Sequence, residues 1–231
     1  HFYNLKSTLT APQMLVVSDT QEIIIPNVTD DLLVPLEDSR AVIETLLESL
    51  PTMFGNSQIH SSCTGPALQA AKRVISHLGG KLVLLQSSLP SQGEGTLKPR
   101  ENPRLMGTDK EHVLLSPENQ WYKENAIDFS RLQICVDVFL FSGQYTDVST
   151  LSVLPKYTGG TCYYYPAYNH ERDSQKFHKE MAHNLTRPTG FESVMRVRAT
   201  RGIRISNFYG NHYIRGQDLL ALPNCTTDSC F

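Results

Sequence analysis

The sequence predicts an α/β fold in which a mostly parallel, doubly wound sheet is followed by a short antiparallel β segment. Strand-like and helix-like stretches alternate over residues 1–187, the signature of a parallel sheet with helices on both faces. Two strand-length runs, Lys81–Gln86 and Gln133–Phe141, are apolar nearly throughout, as strands buried on both faces are. After Gly190 the period drops to two, the mark of strands with one face buried. That change places a domain boundary near Arg187–Gly190 and divides the chain into residues 1–187 and 188–231.

The elements follow in order. His1–Leu5 and Gln13–Ser18 have strand character. A helix is expected over Ser39–Phe54, with Val42, Ile43, Leu46, Leu47 and Leu50 on one stripe. Pro66 opens a second helix, where its missing N–H costs least, and Gly79-Gly80 closes it. Ser87 to Pro117 carries Pro90, Gly93, Gly95, Pro99, Pro103 and Gly107 among polar residues. This stretch is expected to be a surface loop and the first target of a protease. Beyond it come a helix over Asn119–Phe129, the buried strand Gln133–Phe141, a short helix over Thr146–Tyr157 and a strand at Thr161–Tyr165. Asp173 is expected to cap a helix that aligns Phe177, Met181 and Leu185 on one face. Glu192–Thr200 and Gly202–Tyr209 are then expected to pair as a hairpin across Arg201-Gly202, with short strands at Asn211–Ile214 and Leu219–Leu222.

Composition narrows the function classes. A formal net charge of −2 creates no overall field toward nucleic acid or anionic lipid. No apolar run approaches the roughly 18–20 residues of a membrane helix. The five cysteines are an odd number without a Cys-x-x-Cys pair, and Cys135 and Cys162 fall inside apolar strand patterns, which points to a reducing compartment. Three glycosylation-type triplets, at Asn27, Asn184 and Asn224, are then chance occurrences in a cytosolic chain. His1 stands where an initiator Met would, and no signal peptide follows, so the sequence is expected to be a piece of a longer protein.

Several stretches resemble chemical motifs. His178 and His183 are five apart, which puts them about 140° apart around a helix and off any shared metal face. Gly93-Glu94-Gly95 lacks the third glycine and the helix start of a nucleotide-binding loop. Cys63 lies beside a helix N-terminus without a base in its sequence context. Asp147-Val148-Ser149-Thr150-Leu151 approaches the Asp-x-Ser-x-Ser loop of metal-dependent von Willebrand factor A adhesion domains but lacks the second serine. No metal-binding and no catalytic residue is expected. In Val194-Met195-Arg196-Val197-Arg198, strand alternation sends Met195 and Val197 to one face and Arg196 and Arg198 to the other. Such a pair of guanidinium groups can grip carboxylates. From the residues alone a solvated strand face explains it as well.

The chain resembles the trunk domain of the Sec twenty-four family, the cargo-adaptor subunit of the COPII vesicle coat. The resemblance runs from end to end: His1–Leu5, Pro12-Gln13-Met14, Gly65–Ala71, Gly79-Gly80-Lys81, Leu89–Arg100, Thr108–Glu111, Tyr157–Gly160, Tyr163–Pro166 and Gly190–Arg198. It implies a von Willebrand A-like trunk whose first strand precedes His1, followed by a segment of the family's β-barrel. It also implies docking onto the Sec twenty-three subunit, no enzymatic activity, and a cytosolic, peripheral position on endoplasmic reticulum membranes. Cargo and SNARE tails would be the ligands, with Arg196 and Arg198 contributing to a pocket for acidic sorting signals. No cofactor is implied for this chain, because the family's structural zinc belongs to a zinc finger outside it. Two alternatives share the architecture: the partner coat subunit that assists GTP hydrolysis, and a metal-dependent adhesion domain.

Overall fold

The computed structural model describes residues 1–230. The element order is β1 (Phe2–Asn4), β2 (Gln13–Leu15), α1 (Thr29–Leu32), α2 (Leu36–Phe54), α3 (Thr64–Ile75), β3 (Gly80–Gln86), α4 (His112–Leu115), α5 (Gln120–Arg131), β4 (Ile134–Ser142), α6 (Val148–Leu151), α7 (Val153–Thr158), β5 (Cys162–Pro166), α8 (His170–Thr186), β6 (Thr189–Arg196), β7 (Tyr213–Ile214) and β8 (Leu219–Thr226). β1 and β2 pair antiparallel, β3-β4-β5 form a parallel sheet, and β6-β8-β7 form an antiparallel one.

β4 organises the parallel sheet. Alternation sends its even-numbered residues to one face and its odd-numbered residues to the other. Ile134, Val136, Val138 and Leu140 join Leu68 of α3, Phe129 of α5 and Leu154 of α7 in the main core. On the opposite face, Phe139 and Phe141 meet the ring of Phe177 from α8 edge-on at 5.9 and 5.2 Å. Helices therefore cover both faces, as the unbroken apolar run requires. Cys135 and Cys162 behave as small core hydrophobes, and burial pushes their thiols up to about 12 and about 11.

The odd face also holds a charge. Asp137 is fully buried; its Oδ1 accepts from the Thr161 amide at 2.7 Å and its Oδ2 from Asn184 Nδ2 at 3.0 Å. Lys81 Nζ lies 3.5 Å from the same carboxylate and donates to the Asn184 carbonyl at 2.8 Å. One aspartate thus ties β3, the turn before β5 and the end of α8 together. Asn184 and Asn224 are both buried, so the triplets they head are inaccessible in this fold. The face of α8 differs from the expected one: Phe177 and Met181 turn inward with Asn184, while Leu185 is exposed. Its cap is Asn169, whose side chain accepts from the Glu171 amide, and Asp173 instead closes back on the Asn169 amide at 3.0 Å. The stripe on α2 turns Val42, Ile43, Leu46 and Leu50 toward the protein but leaves Leu47 exposed.

The segment 87–117 departs further from expectation. Its first half is packed: Pro90, Gly95 and Leu97 are buried, and the Gly95 carbonyl accepts from Tyr122 Oη at 2.6 Å. A Cβ on Gly65 would stand 1.8 Å from the Glu94 carbonyl oxygen, so α3 and this segment touch backbone to backbone. Proline and glycine here shape a docked strap, and the only helix in it, α4, is one turn. First proteolytic cuts are therefore expected between Glu101 and Glu111, where all but Leu105 are exposed. Mass spectrometry of early fragments checks this; a first cut between Leu89 and Leu97 would contradict the packing.

The expected hairpin is absent. Arg201-Gly202 does form a turn, with Gly202 at φ +97°, but residues 203–209 pair with nothing in a sheet. β6 pairs instead with β8, from Thr189 opposite Thr226 to Arg196 opposite Leu219. The reason is burial: β8 supplies Leu220, Ala221 and Leu222 as core residues, whereas 201–204 are exposed. A long ladder that buries apolar side chains outweighs a local turn. β3 pairs only with β4 among the described residues, and an apolar groove of about 700 Å³ runs beside it between α3 and the β1–β2 pair.

Candidate functional site

The Asp-x-Ser text is engaged by partners within the chain. Asp147 caps α6, accepting from the Thr150 amide at 3.1 Å and from Thr150 Oγ1 at 2.8 Å. Arg100 reaches it from the docked strap as a fork, Nε to Oδ2 at 2.9 Å and Nη2 to Oδ1 at 3.0 Å. The same guanidinium donates to Ser149 Oγ at 2.6 Å and to the Val113 carbonyl at 3.1 Å. Burial would push the Asp147 carboxyl up, but Arg100, Thr150 and Ser149 together hold it below the ordinary carboxylate range. Both carboxylate oxygens are committed to an internal cation, so this cluster fastens the strap to the domain. Nothing in the sequence spacing connects Arg100 to Asp147, and the pair was missed there.

His178 and His183 are exposed, and His183 Nε2 lies 2.7 Å from Asp228, which Arg187 also holds at 2.9 Å. Cys63 is the N-cap of α3, and its thiol donates to Gln92 Oε1 at 3.4 Å. Gly95 packs where a Cβ would meet the Trp121 ring at 2.9 Å, so Gly93-Glu94-Gly95 is a close-approach turn. Among the described residues no cluster of His, Cys, Asp and Glu has metal-site geometry.

The arginine pair is different, because it is exposed and opens on a pocket. β6 lies at the edge of its three-stranded sheet, with β8 as its only partner among the described residues. The ladder runs through Arg196, and one further bond, from the Val197 amide to the Asp218 carbonyl at 3.0 Å, extends it. Arg198 lies just past the strand, so strict alternation does not place it, yet Arg196 and Arg198 line the same shallow pocket of about 720 Å³. The irregular segment after the strand returns to add Ile203 and Arg204, and the β7–β8 turn adds Gln217 and Asp218. Arg196 Nε stands 3.6 Å from Asp218 Oδ2, with both side chains half exposed. Arg204 and Asp218 escaped the sequence reading because they come from two separate turns.

Three arginines and one aspartate thus line one exposed pocket, whose net charge is positive. A family model described as the Sec23/Sec24 trunk domain matches residues 1–185. The chain is 48% identical to the "Protein transport protein SEC24 A" of Arabidopsis thaliana, over 100% of this chain and 22% of that protein. It is 44% identical to the "Protein transport protein Sec24A" of Homo sapiens, over 99% of this chain and 21% of that protein. The chain belongs to the Sec23/Sec24 trunk-domain family. The crystal structure of the human COPII-coat protein Sec24c superposes with a TM-score of 0.93 at 38% identity, covering 98% of this chain and 30% of that one. The chain thus spans about a fifth of the length of these curated relatives. The trunk-family match ends at residue 185, and the arginine pocket is built on the antiparallel sheet that follows.

Proposed function

We propose that this chain is the trunk of a COPII cargo adaptor together with the first part of its β-barrel, and that Arg196 and Arg198 bind acidic sorting signals. The observation that carries the proposal is the shared pocket beside the edge strand β6, into which both arginines open. In this reading the protein is a non-enzymatic coat component that pairs with the Sec23 subunit through its trunk. It selects the cytosolic tails of membrane cargo and SNARE proteins at the cytosolic face of the endoplasmic reticulum, and it takes no nucleic acid and no cofactor within this chain. The names of the relatives support the adaptor over the partner subunit. No helix among the described residues is long and apolar enough to cross a membrane.

Each charge-assisted contact to a carboxylate contributes about 1.5–3 kcal/mol when partly desolvated. Replacing both Arg196 and Arg198 by alanine in the full-length protein is therefore expected to weaken acidic-signal peptides about tenfold or more. The melting temperature should stay put, because both side chains are exposed. Fluorescence anisotropy with a labelled acidic-tail peptide, beside thermal melts, reads both effects. Unchanged peptide affinity in the double variant would sink the site assignment.

A further inference from the structure

We propose that Asp218 is an internal competitor for the ligand carboxylate at the Arg196 pocket, and that Arg204 is a third cation that the ligand meets there. The inference rests on the acidic-signal reading of that pocket and says how strongly the site holds its ligand.

The backbone sets the positions. The β7–β8 turn is closed by bonds from the Arg215 and Gly216 amides to the Leu219 carbonyl, at 2.9 and 3.3 Å. The Val197 amide then binds the Asp218 carbonyl at 3.0 Å, which pins Asp218 beside the end of β6 whatever its side chain does. From that position the Asp218 carboxylate faces Arg196 in the structure. Its grip is weak: a single Nε–Oδ2 approach of 3.6 Å between half-exposed groups lies beyond good hydrogen-bond length. It also lacks the bidentate fork that makes Arg–carboxylate pairs strong. Such a contact is displaced at little cost, yet it places a negative charge where an incoming carboxylate would bind.

Arg204 shifts the balance the other way. Three arginines against one aspartate leave the pocket with an excess of two positive charges. Neither Arg198 nor Arg204 takes part in any of the salt bridges found among the described residues, where Arg196–Asp218 is the one pair within this pocket. Beside the cations, Ile203 offers an apolar surface that is 68% exposed. An acidic peptide would exchange Asp218 for its own carboxylate at Arg196, gain attraction from Arg204, and rest a neighbouring apolar side chain on Ile203.

The test uses the full-length protein and two labelled peptides: one with two carboxylate side chains, and the same peptide with both converted to amides. Removing the competitor by Asp218→Asn is expected to tighten the acidic peptide roughly two- to fivefold at low salt, as for an exposed charge pair. The gain should shrink as ionic strength rises. Arg204→Gln is expected to weaken it by a similar factor, and neither change should alter the amide peptide. Asn at 218 keeps the backbone carbonyl that bonds Val197, so both variants should melt as wild type. If wild type binds the acidic peptide but Asp218→Asn weakens it or leaves it unchanged, Asp218 is not a competitor and the inference is overturned. If Arg204→Gln has no effect, the third-cation role falls. If wild type binds both peptides alike, the acidic-signal reading itself fails and takes this inference with it.

Discussion

Replacing Arg100 by alanine is expected to destabilise the protein by about 3–5 kcal/mol, the cost of stranding one member of a buried ion pair. Asp147 is only 3% exposed, and without the guanidinium its carboxylate keeps just the bonds from Thr150 and Ser149. For a chain of this size that loss corresponds to a melting-temperature drop on the order of 10 °C. Arg100→Lys should fall between, because an ammonium cannot reproduce the fork to both oxygens and to Ser149. The strap carrying residues 101–113 should then be cut by protease faster than in wild type. The pH dependence has a definite sign. The folded-state pKa of Asp147 is depressed, so its contribution is complete above the ordinary carboxylate value of about 4 and is lost as pH falls through the lower, folded value. The gap between wild type and Arg100→Ala should be level from pH 8 to 5 and narrow below about pH 4. Urea denaturation at several pH values measures it. A gap under about 1 kcal/mol at pH 7 would mean that Thr150 and Ser149 suffice to hold the carboxylate.

Asp137→Ala is expected to cost a similar amount, about 3–5 kcal/mol, for a different reason. Here the carboxylate is the hub. Its removal orphans the Thr161 amide and Asn184 Nδ2 and leaves Lys81, whose side chain is 13% exposed, without its counter-charge. Asp137→Asn keeps one acceptor oxygen and should cost less, about 1–3 kcal/mol, because an amide NH₂ then faces another donor. Since the same hub fixes the end of α8, loss of order should spread to Arg187 and to the contact with Asp228. Denaturant unfolding of both variants, with hydrogen exchange at residues 161 and 184–187, tests the ranking. Equal stability of Asp137→Ala and wild type would show that the cluster is dispensable. These two substitutions contrast with the arginine pocket, where the expected loss is in binding and the fold is untouched.

Much of this was legible from local signals. The unbroken apolar run around Val136–Leu140 announces a strand buried on both faces, because only burial on both sides removes the need for alternation. The helix expected to close at Gly79-Gly80 ends already at Ile75, and the strand after it begins within a residue of the expected place. Arg196 and Arg198 stood out as a same-sign pair in an alternating strand. The resemblance to the cargo-adaptor trunk, carried by motifs spread along the chain, gave the fold that the comparison with Sec24c then displayed.

Other features depended on contacts between distant residues, which no periodicity encodes. The turn at Arg201-Gly202 is real, yet β6 took β8 as partner, because Leu220–Leu222 are buried in the core while Ile203 and Tyr209 stay exposed. The proline- and glycine-rich strap looks like solvent-exposed loop by composition, and its packing depends on Gly65, Leu97 and Arg100 meeting surfaces far away in sequence. The sequence by itself determined the layer order, the central strand and the candidate cations. Only the tertiary structure decided which carboxylates the arginines face: Asp147 for Arg100, as a buried anchor, and Asp218 for Arg196, as a loose and exchangeable neighbour. Charge pairing is a matter of distance and burial, and both are set by the fold.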